Sequence, residues 1–298
     1  MRARPMIRAL ALLVTLALAS PASALTVRDM LGRDVTLPAP PARIVSLVPS
    51  VTEVVVALGG GDRLVGRTDY CDFPPAARSK PSVGGMVNPN LEAVVALRPD
   101  LVIATDEGNT EDTFQQLARL RIPTYLVHAD RLVEMLELIV RLGDLTERRA
   151  AAPALVAEIQ GRIDAIRRAV APFPRPRVLY VLWPDPLIVP GRASILTELI
   201  ELAGGVSITA GESEAYPRFS VEAAVARAPE VIILADHAAG GSMAGRPSPE
   251  KWQRLASVPA IKAGRLHSVD LSVLHRYGPR VPEGLERLAR ILHPEAFR

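Results

Sequence analysis

NLEAVVALRPDLVIA, at residues 90–104, returns in similar form and without a gap as SVEAAVARAPEVIIL at residues 220–234. Each copy begins with a residue suited to cap a helix, Asn90 or Ser220, and continues as a short helix that a proline ends. An acidic residue and an apolar strand follow. A helix-to-strand unit repeated at a domain-sized distance predicts two similar lobes, and a cleft between lobes is a common ligand site.

Strands and helices alternate on both sides of the repeated unit. Residues 43–48 predict an apolar strand, which Pro49 is expected to end, and residues 50–53 are expected to form a capping box for the next helix. Residues 25–38 alternate apolar and polar side chains around a glycine, which predicts a small hairpin. Apolar strands between helices are typical of a parallel sheet covered on both faces. The predicted fold class is therefore α/β, with two Rossmann-like lobes built on mainly parallel sheets.

One long helix is predicted between the two lobes. Its apolar side chains recur at spacings of four, four, three and four residues: Leu155, Ile159, Ile163, Ile166 and Val170. Thr146 is expected to cap this helix, and about 25 residues would span about 37 Å, enough to join two lobes rigidly. We therefore predict a first lobe at residues 25–145, a connecting helix at 146–172 and a second lobe at 173–298.

The N-terminal segment, residues 1–24, has the pattern of a secretory signal peptide. Three arginines precede an apolar run at residues 9–19, and Ala22-Ser23-Ala24 resembles a cleavage site. We expect this segment to be removed and the protein to reside in a periplasm. Removal of the three arginines brings the formal net charge from +3 to zero, which gives no support to nucleic-acid binding. The single cysteine, Cys71, excludes an internal disulfide and a thiolate metal cluster.

The sequence contains no recognisable catalytic or metal-binding constellation. The five histidines form no His-x-x-x-His or Glu-x-x-His pair on a predicted helix: His128, His237, His267, His275 and His293. There is no Gly-x-Ser-x-Gly elbow, phosphate loop or dinucleotide fingerprint. We therefore predict a protein that is not an enzyme, with no catalytic residue, no metal ligand and no cofactor. A secreted metal-dependent hydrolase on a two-lobed scaffold is the alternative from another class.

Aromatic side chains concentrate in loops on the carboxyl-end side of the predicted sheets, the side that binds ligands in open α/β folds. They are Tyr70, Phe73, Trp183, Tyr216 and Tyr277. Arg276 and Arg280 flank the last of them. Flat rings along a cleft fit a large planar or amphipathic ligand, although each ring alone could equally be a packing residue.

Glu92 and Glu222 occupy the same position in the two copies of the repeat, two residues after the predicted cap. Acids in a first helical turn complement the helix dipole, which is worth about 0.3–1 kcal/mol. The symmetry favours a second role, because two matched carboxylates could bind arginines of one partner.

The chain resembles the periplasmic binding proteins of ABC importers for cobalamin, haem and ferric siderophores, the helical-backbone metal receptor class. The resemblance rests on RIVSLVPSVTE at residues 43–53, TDYCDFPP at 68–75, PNLE at 89–92 with RPDLV at 98–102, and Gly264-Arg265. It implies two lobes on one rigid helix and a small molecule captured between them. It also implies a monomer whose lobe tips dock on a permease dimer through Glu92 and Glu222.

Within this class the chain is most similar to the cobalamin binders. Tyr70 matches a loop aromatic that flanks the corrin, and Trp183 falls near another. The resemblance gives Asp270 and Arg276 the role of polar contacts to the corrin side-chain amides, and we expect Arg280 to join them at the polar rim of the macrocycle. Tryptophans that cobalamin binders often carry near Gly84-Gly85 and Asp106 are absent here. Haem and ferric siderophores therefore remain alternatives, and for haem the available axial ligands are Tyr70, Tyr216, His275 and Tyr277.

Overall fold

A computed structural model of the protein describes residues 24–236 and 249–298. The first lobe opens with the predicted hairpin, β1 (Leu25–Arg28) paired antiparallel with β2 (Asp34–Leu37). Its sheet contains four parallel strands: β3 (Ile44–Ser46), β4 (Leu64–Arg67), β5 (Leu101–Thr105) and β6 (Thr124–Val127). Its helices are α1 (Pro49–Ala57), α2 (Leu91–Ala96), α3 (Glu111–Arg119) and α4 (Leu132–Leu145), with a short 3-10 helix at Pro75–Ser79.

Helix α5 (Ala152–Val170) leads to the second lobe. The sheet of this lobe contains four parallel strands: β7 (Arg177–Val181), β10 (Val206–Ser207), β11 (Val231–Asp236) and β12 (Leu266–Asp270). A small antiparallel pair joins β8 (Trp183–Pro184) to β9 (Leu187–Ile188). The helices are α6 (Ile195–Leu202), α7 (Val221–Ala226), α8 (Pro249–Gln253), α9 (Pro259–Lys262), α10 (Leu271–Leu274) and α11 (Val281–Leu292), with a 3-10 helix at Pro294–Phe297.

The two sheets have the same topology. Their strand orders are β4-β3-β5-β6 and β10-β7-β11-β12, so the first and third strands of each four-stranded sheet, counted along the chain, are central. Alternate residues of the first sheet enter different apolar clusters: Leu101 and Ile103 pack on one face, Val102 and Ala104 on the other. Burial of both faces explains why these strands are apolar throughout. The predicted α/β fold with two Rossmann-like lobes is confirmed.

The repeated sequence forms the same hydrogen bonds in both lobes. Asn90 and Ser220 each accept a hydrogen bond from the backbone N–H three residues later, as predicted for helix caps. Arg98 and Ala228 both have φ of 46°, a left-handed conformation that turns the chain from helix to strand.

The acid that follows the proline in each copy holds the start of the neighbouring strand. The carboxylate of Asp100 accepts the Arg43 N–H at 2.9 Å, and that of Glu230 accepts the Arg177 N–H at 2.8 Å. The same two arginines return a guanidinium N–H to the carbonyls of Arg98 and Ala228, each at 3.0 Å. The sequence repeat is therefore also a repeat of the hydrogen bonds that connect helix, turn and sheet.

The start of α1 differs from the sequence prediction. The strand ends at Ser46, before the proline, and Pro49 lies in the first turn of the helix, with Val48 as the cap residue and no side-chain cap. Proline suits this position because its fixed φ is helical and its missing N–H would have no helical partner. The capping box predicted at residues 50–53 is therefore wrong, and Glu53 is instead buried inside the protein.

The long helix is shorter than predicted. It begins at Ala152 with a proline in its first turn, and its 19 residues span about 28 Å. Thr146 does not cap it: this residue follows α4, and its hydroxyl donates to the Leu142 carbonyl at 2.6 Å. Four of the five predicted apolar positions are buried, and they enter one continuous apolar cluster with residues of both lobes. The lobe boundaries at residues 145 and 172 stay predictions.

Candidate ligand-binding site

A cavity of about 440 Å³ lies between the two lobes, within the usual range for small-molecule sites. The first-lobe wall lies mainly at the carboxyl ends of three neighbouring strands, β3, β5 and β6. The residues of this wall are Val48, Pro49, Ser50, Met86, Thr105, Glu107, Val127, His128, Ala129 and Leu138. The second-lobe wall contributes Tyr216, His275, Arg276 and Tyr277. The carboxyl ends of parallel strands are where open α/β sheets bind ligands, and both walls combine apolar surface with a few polar groups.

Aromatic rings form most of the second-lobe wall. The hydroxyls of Tyr216 and Tyr277 lie 2.9 Å apart, and the hydroxyl of the buried Tyr180 lies 2.9 Å from Nε2 of His275. The rings of His275 and Tyr277 stack with centroids 6.4 Å apart. Burial raises the pKa of Tyr216 and raises that of Tyr277 further, so both remain neutral phenols. This wall offers flat apolar surface and neutral hydrogen-bonding groups.

Behind Arg276, a buried acid of the first lobe faces two arginines of the second. Glu53 is 2% exposed, and its Oε1 lies 3.7 Å from Nη1 of both Arg276 and Arg280. Neither carboxylate oxygen of Glu53 has a hydrogen-bond partner among the described residues. Burial raises the pKa of Glu53 to about 7, and the charges of Arg280 and Arg276 offset only part of this effect.

Asp72 completes this charged group. Its carboxylate forms a short ion pair with the Arg276 guanidinium. Partial burial raises the pKa of Asp72, but the hydrogen bond and charge of Arg276 outweigh burial and leave the pKa below its ordinary value. Arg276 therefore faces two acids of the opposite lobe, of which Asp72 forms the direct ion pair. Sequence reasoning missed Glu53, although an acid among four valines of an apolar helix was a signal of a buried charge.

A second charged group lies on the first-lobe wall. Nδ1 of His128 lies 3.0 Å from an oxygen of Asp106, and Nε2 lies 3.2 Å from an oxygen of Asp130. Desolvation lowers the pKa of His128, but Asp106, Asp130 and Glu107 together raise it above the ordinary value. Desolvation, and then the neighbouring Asp130 carboxyl, raise the pKa of Glu107. Ligand spacing on a single helix does not reveal this group, because its members lie in the two loops that follow β5 and β6.

Three of the eight predicted ligand-binding residues line the cavity: Tyr216, Arg276 and Tyr277. Arg280 lies behind them, with its guanidinium 4.1 Å from the centre of the Phe73 ring. Phe73 is 37% exposed and belongs to the loop that carries Asp72.

The other three predicted ligand-binding residues lie outside this cavity. Tyr70 is 45% exposed, in the same loop as Asp72. The indole N–H of Trp183 donates to the carbonyl of Asp185 at 3.1 Å, and the Asp270 carboxylate accepts the Ser272 N–H at the start of α10. A role for these three in ligand contact stays a prediction.

Glu92 and Glu222 are exposed in the first turns of α2 and α7, at equivalent places in the two lobes. Their docking role stays a prediction. Most of the predicted signal segment, residues 1–23, lies outside the described residues, as does His237. Within residues 24–236 and 249–298, no helix is both long and apolar enough to span a membrane.

Comparisons with known proteins agree with this architecture. A vitamin B12-binding protein of Vibrio cholerae is 29% identical over 255 residues, which cover 86% of this chain and 90% of that protein. The crystal structure of the periplasmic vitamin B12 binding protein of this organism matches with a TM-score of 0.71 over 87% of this chain and 99% of the other. A periplasmic heme binding protein from Pseudomonas aeruginosa is 30% identical, with a TM-score of 0.74 over 85% of this chain and 93% of the other.

A third relative connects the chain with transport. An uncharacterized ABC transporter substrate-binding lipoprotein of Bacillus subtilis is 29% identical over 280 residues, which cover 92% of this chain and 87% of that protein. These relatives are named as binding or substrate-binding proteins, and the prediction that the chain is not an enzyme is confirmed. The family model described as periplasmic binding protein matches residues 44–270. The chain therefore belongs to the periplasmic binding protein family.

Proposed function

We propose that the chain captures a corrinoid, cobalamin or a close relative, in the cavity between its lobes and delivers it to an ABC importer. The observation that carries the choice of ligand is the pairing of charges on the cavity walls. Arg276 faces Asp72 and Glu53, and His128 faces Asp106 and Asp130. Each of these two basic groups is therefore paired with acids before any ligand enters.

This pairing favours a ligand whose rim is uncharged. The side chains of a corrin end in amides, which need hydrogen-bonding partners but no counter-ion. Ser50, Thr105, Tyr216 and Tyr277 offer such partners around the cavity, and the tyrosine rings offer surface for the macrocycle. A corrinoid is larger than 440 Å³, so part of it would extend beyond the cavity, and the loop of Asp72 and Phe73 is one surface it could reach, because Asp72 pairs with the lining residue Arg276.

Haem is the second candidate, supported by the heme-binding relative and by Tyr216, His275 and Tyr277 in the cavity. Two features of the described residues weigh against it. The two propionates of haem would compete with Asp72 and Glu53 for the same arginines. A tyrosinate ligand to iron would also require ionisation of a phenol whose pKa burial has raised. Ferric catecholate siderophores carry more negative charge still and are disfavoured for the same reason.

Calorimetric titration of the purified protein with cyanocobalamin, haem and a ferric catecholate tests this proposal. We expect one equivalent of cyanocobalamin to bind, and haem to bind at least roughly tenfold more weakly, the discrimination that about 1.4 kcal/mol provides. Tighter binding of haem or the catecholate would contradict the corrinoid assignment. An Asp72→Asn variant releases Arg276 from one acid and should improve haem binding relative to cyanocobalamin. Asp112→Asn, an exposed aspartate on α3, is the matched control.

Delivery would use the lobe tips. The exposed carboxylates of Glu92 and Glu222 lie in equivalent helical turns, which suits a partner with two matching arginines, and each charge-assisted pair contributes about 1.5–3 kcal/mol. Residues 1–24 would direct secretion to the periplasm, where the monomeric protein meets its permease.

A further inference from the structure

A cluster of possible metal ligands lies on the first-lobe wall of the cavity. Glu107 follows β5 by two residues, and His128 and Asp130 follow β6. These strands are parallel neighbours in which Thr105 pairs with Val127, so both loops leave the sheet at one edge. One donor atom from each of the three side chains lies within 4.8 Å of the other two.

We infer that Glu107, His128 and Asp130 form a binding site for a divalent transition-metal ion, separate from the proposed corrinoid function. Around an ion with bonds of about 2.1 Å, adjacent ligand atoms lie about 3.0–3.4 Å apart and opposite ones about 4.2 Å apart. Nε2 of His128 already lies 3.2 Å from an oxygen of Asp130, and the three donors lie within 4.8 Å of one another, so side-chain movements of up to about 1.5 Å would close them on a metal.

His128 is already held in the orientation that a metal ligand needs. Asp106 lies 3.0 Å from Nδ1, which fixes the ring so that Nε2 points toward Asp130, 3.2 Å away. Histidines that bind metals usually have such a carboxylate on the nitrogen that does not bind the ion. Asp106 supplies this orienting contact without being one of the three donors.

The charge of the cluster also favours a cation. In the described part of the chain, no lysine or arginine pairs with Asp106, Glu107 or Asp130, and the nearby Arg131 pairs with Glu198 instead. Three carboxyl groups therefore surround a single imidazole, so the acids of the cluster outnumber the one basic group that it contains. A divalent ion would balance this excess of acids.

The donor set identifies the class of metal. One imidazole nitrogen with two carboxylates suits Mn²⁺, Fe²⁺, Co²⁺, Ni²⁺ or Zn²⁺, whereas Mg²⁺ and Ca²⁺ prefer oxygen donors alone. Three ligands leave coordination positions open. Because Glu107 and His128 line the cavity, these positions are accessible to water or to a molecule bound there.

Titration with Co²⁺ and Zn²⁺ of the chelator-treated, tag-free protein tests this site in the absence of any corrinoid. We expect one equivalent of Co²⁺ to bind and to give visible ligand-field absorption, and Mg²⁺ to bind at least roughly tenfold more weakly. His128→Gln should weaken Co²⁺ binding by more than a hundredfold. Asp106→Asn should weaken it by about 10–100-fold, the usual effect of losing an orienting partner.

The matched control is His267→Gln, which removes a histidine on β12, outside the cavity. This variant should bind Co²⁺ like the wild type, and circular dichroism and thermal melting should show that all variants are folded. Absence of Co²⁺ and Zn²⁺ binding to the wild type, or unchanged binding to His128→Gln, would overturn the inference. Cyanocobalamin titration is a separate measurement, so the metal site and the proposed function can fail independently.

Discussion

Oε1 of Glu53 lies 3.7 Å from Nη1 of Arg276, which brings a buried acid of the first lobe against a cation of the second. The distance is too long for a hydrogen bond, and the carboxylate has no hydrogen-bond partner among the described residues. Desolvation of Glu53 is therefore only partly compensated, which makes the contact between the lobes sensitive to protonation.

The first prediction concerns stability against pH. Burial raises the pKa of Glu53 from its ordinary value of 4.5 to about 7, so between these values the folded chain holds this proton more tightly than the unfolded chain. The contribution of Glu53 to the free energy of unfolding must then fall as pH rises from about 4.5 to 7. Above pH 7 the carboxylate is ionised in the folded chain, and the loss of unfolding free energy reaches its full size. This shift of the Glu53 pKa corresponds to about 3 kcal/mol of unfolding free energy.

Glu53→Gln removes this proton linkage. Relative to the wild type, the variant should gain up to about 3 kcal/mol of unfolding free energy between pH 4.5 and pH 8. Urea denaturation across this pH range measures the difference. Glu250→Gln, an exposed glutamate on α8, is the control. A constant difference between Glu53→Gln and the wild type at all pH values would show that the carboxyl keeps its ordinary pKa.

The second prediction concerns the hydroxyl pair on the cavity wall. Tyr277→Phe keeps the ring but removes one member of the 2.9 Å contact with Tyr216, together with its capacity to bond a corrin amide. We expect cyanocobalamin affinity to fall roughly fivefold, because one neutral hydrogen bond is worth about 1 kcal/mol. Tyr125→Phe removes a hydroxyl that bonds the Arg28 carbonyl away from the cavity, and it should bind normally. If the two variants bound cyanocobalamin with equal affinity, the Tyr277 hydroxyl would not contribute to ligand binding.

The sequence predicted those parts of the fold that depend on local pattern. The repeated helix, proline and strand determine both sheets, because caps, left-handed turns and apolar alternation act within a few residues. The start of α1 was predicted incorrectly because a proline can either end a strand or open a helix, and only the packed structure decides between them. Thr146 was likewise a plausible cap for the helix that follows, but it lies at the end of the helix before.

The candidate site was less accessible to sequence analysis. Tyr216, Arg276 and Tyr277 were predicted from their loops, whereas Glu53 was assigned to a local cap, although both its arginine partners lie near the other end of the chain. Glu107 and His128 are well separated in the sequence and meet only because β5 and β6 pair. Contacts between separate elements follow from tertiary packing, which residue spacing along one helix does not reveal.

The third prediction concerns the helix that joins the lobes. Ile163 on α5 is 5% exposed in the apolar cluster shared by both lobes, so Ile163→Ala should lower the free energy of unfolding by about 2–5 kcal/mol. Gly161 on the same helix has open space where a Cβ would lie, and Gly161→Ala should raise stability by about 0.5–1 kcal/mol. Chemical denaturation measures both. A loss of less than about 1 kcal/mol for Ile163→Ala, below the usual range for a buried isoleucine, would mean that α5 is not part of the shared core.

The last prediction separates capture from delivery. Glu92→Ala combined with Glu222→Ala should leave cyanocobalamin affinity unchanged, because both side chains are exposed and neither lines the cavity. Transport in vesicles containing the permease and its ATPase should be abolished, since the loss of two charge-assisted pairs removes about 3–6 kcal/mol of docking energy. Glu158→Ala with Glu250→Ala changes the net charge equally, at exposed positions on α5 and α8, and should transport normally. Uptake by the Glu92 and Glu222 double variant at the wild-type rate would show that the permease contacts another surface.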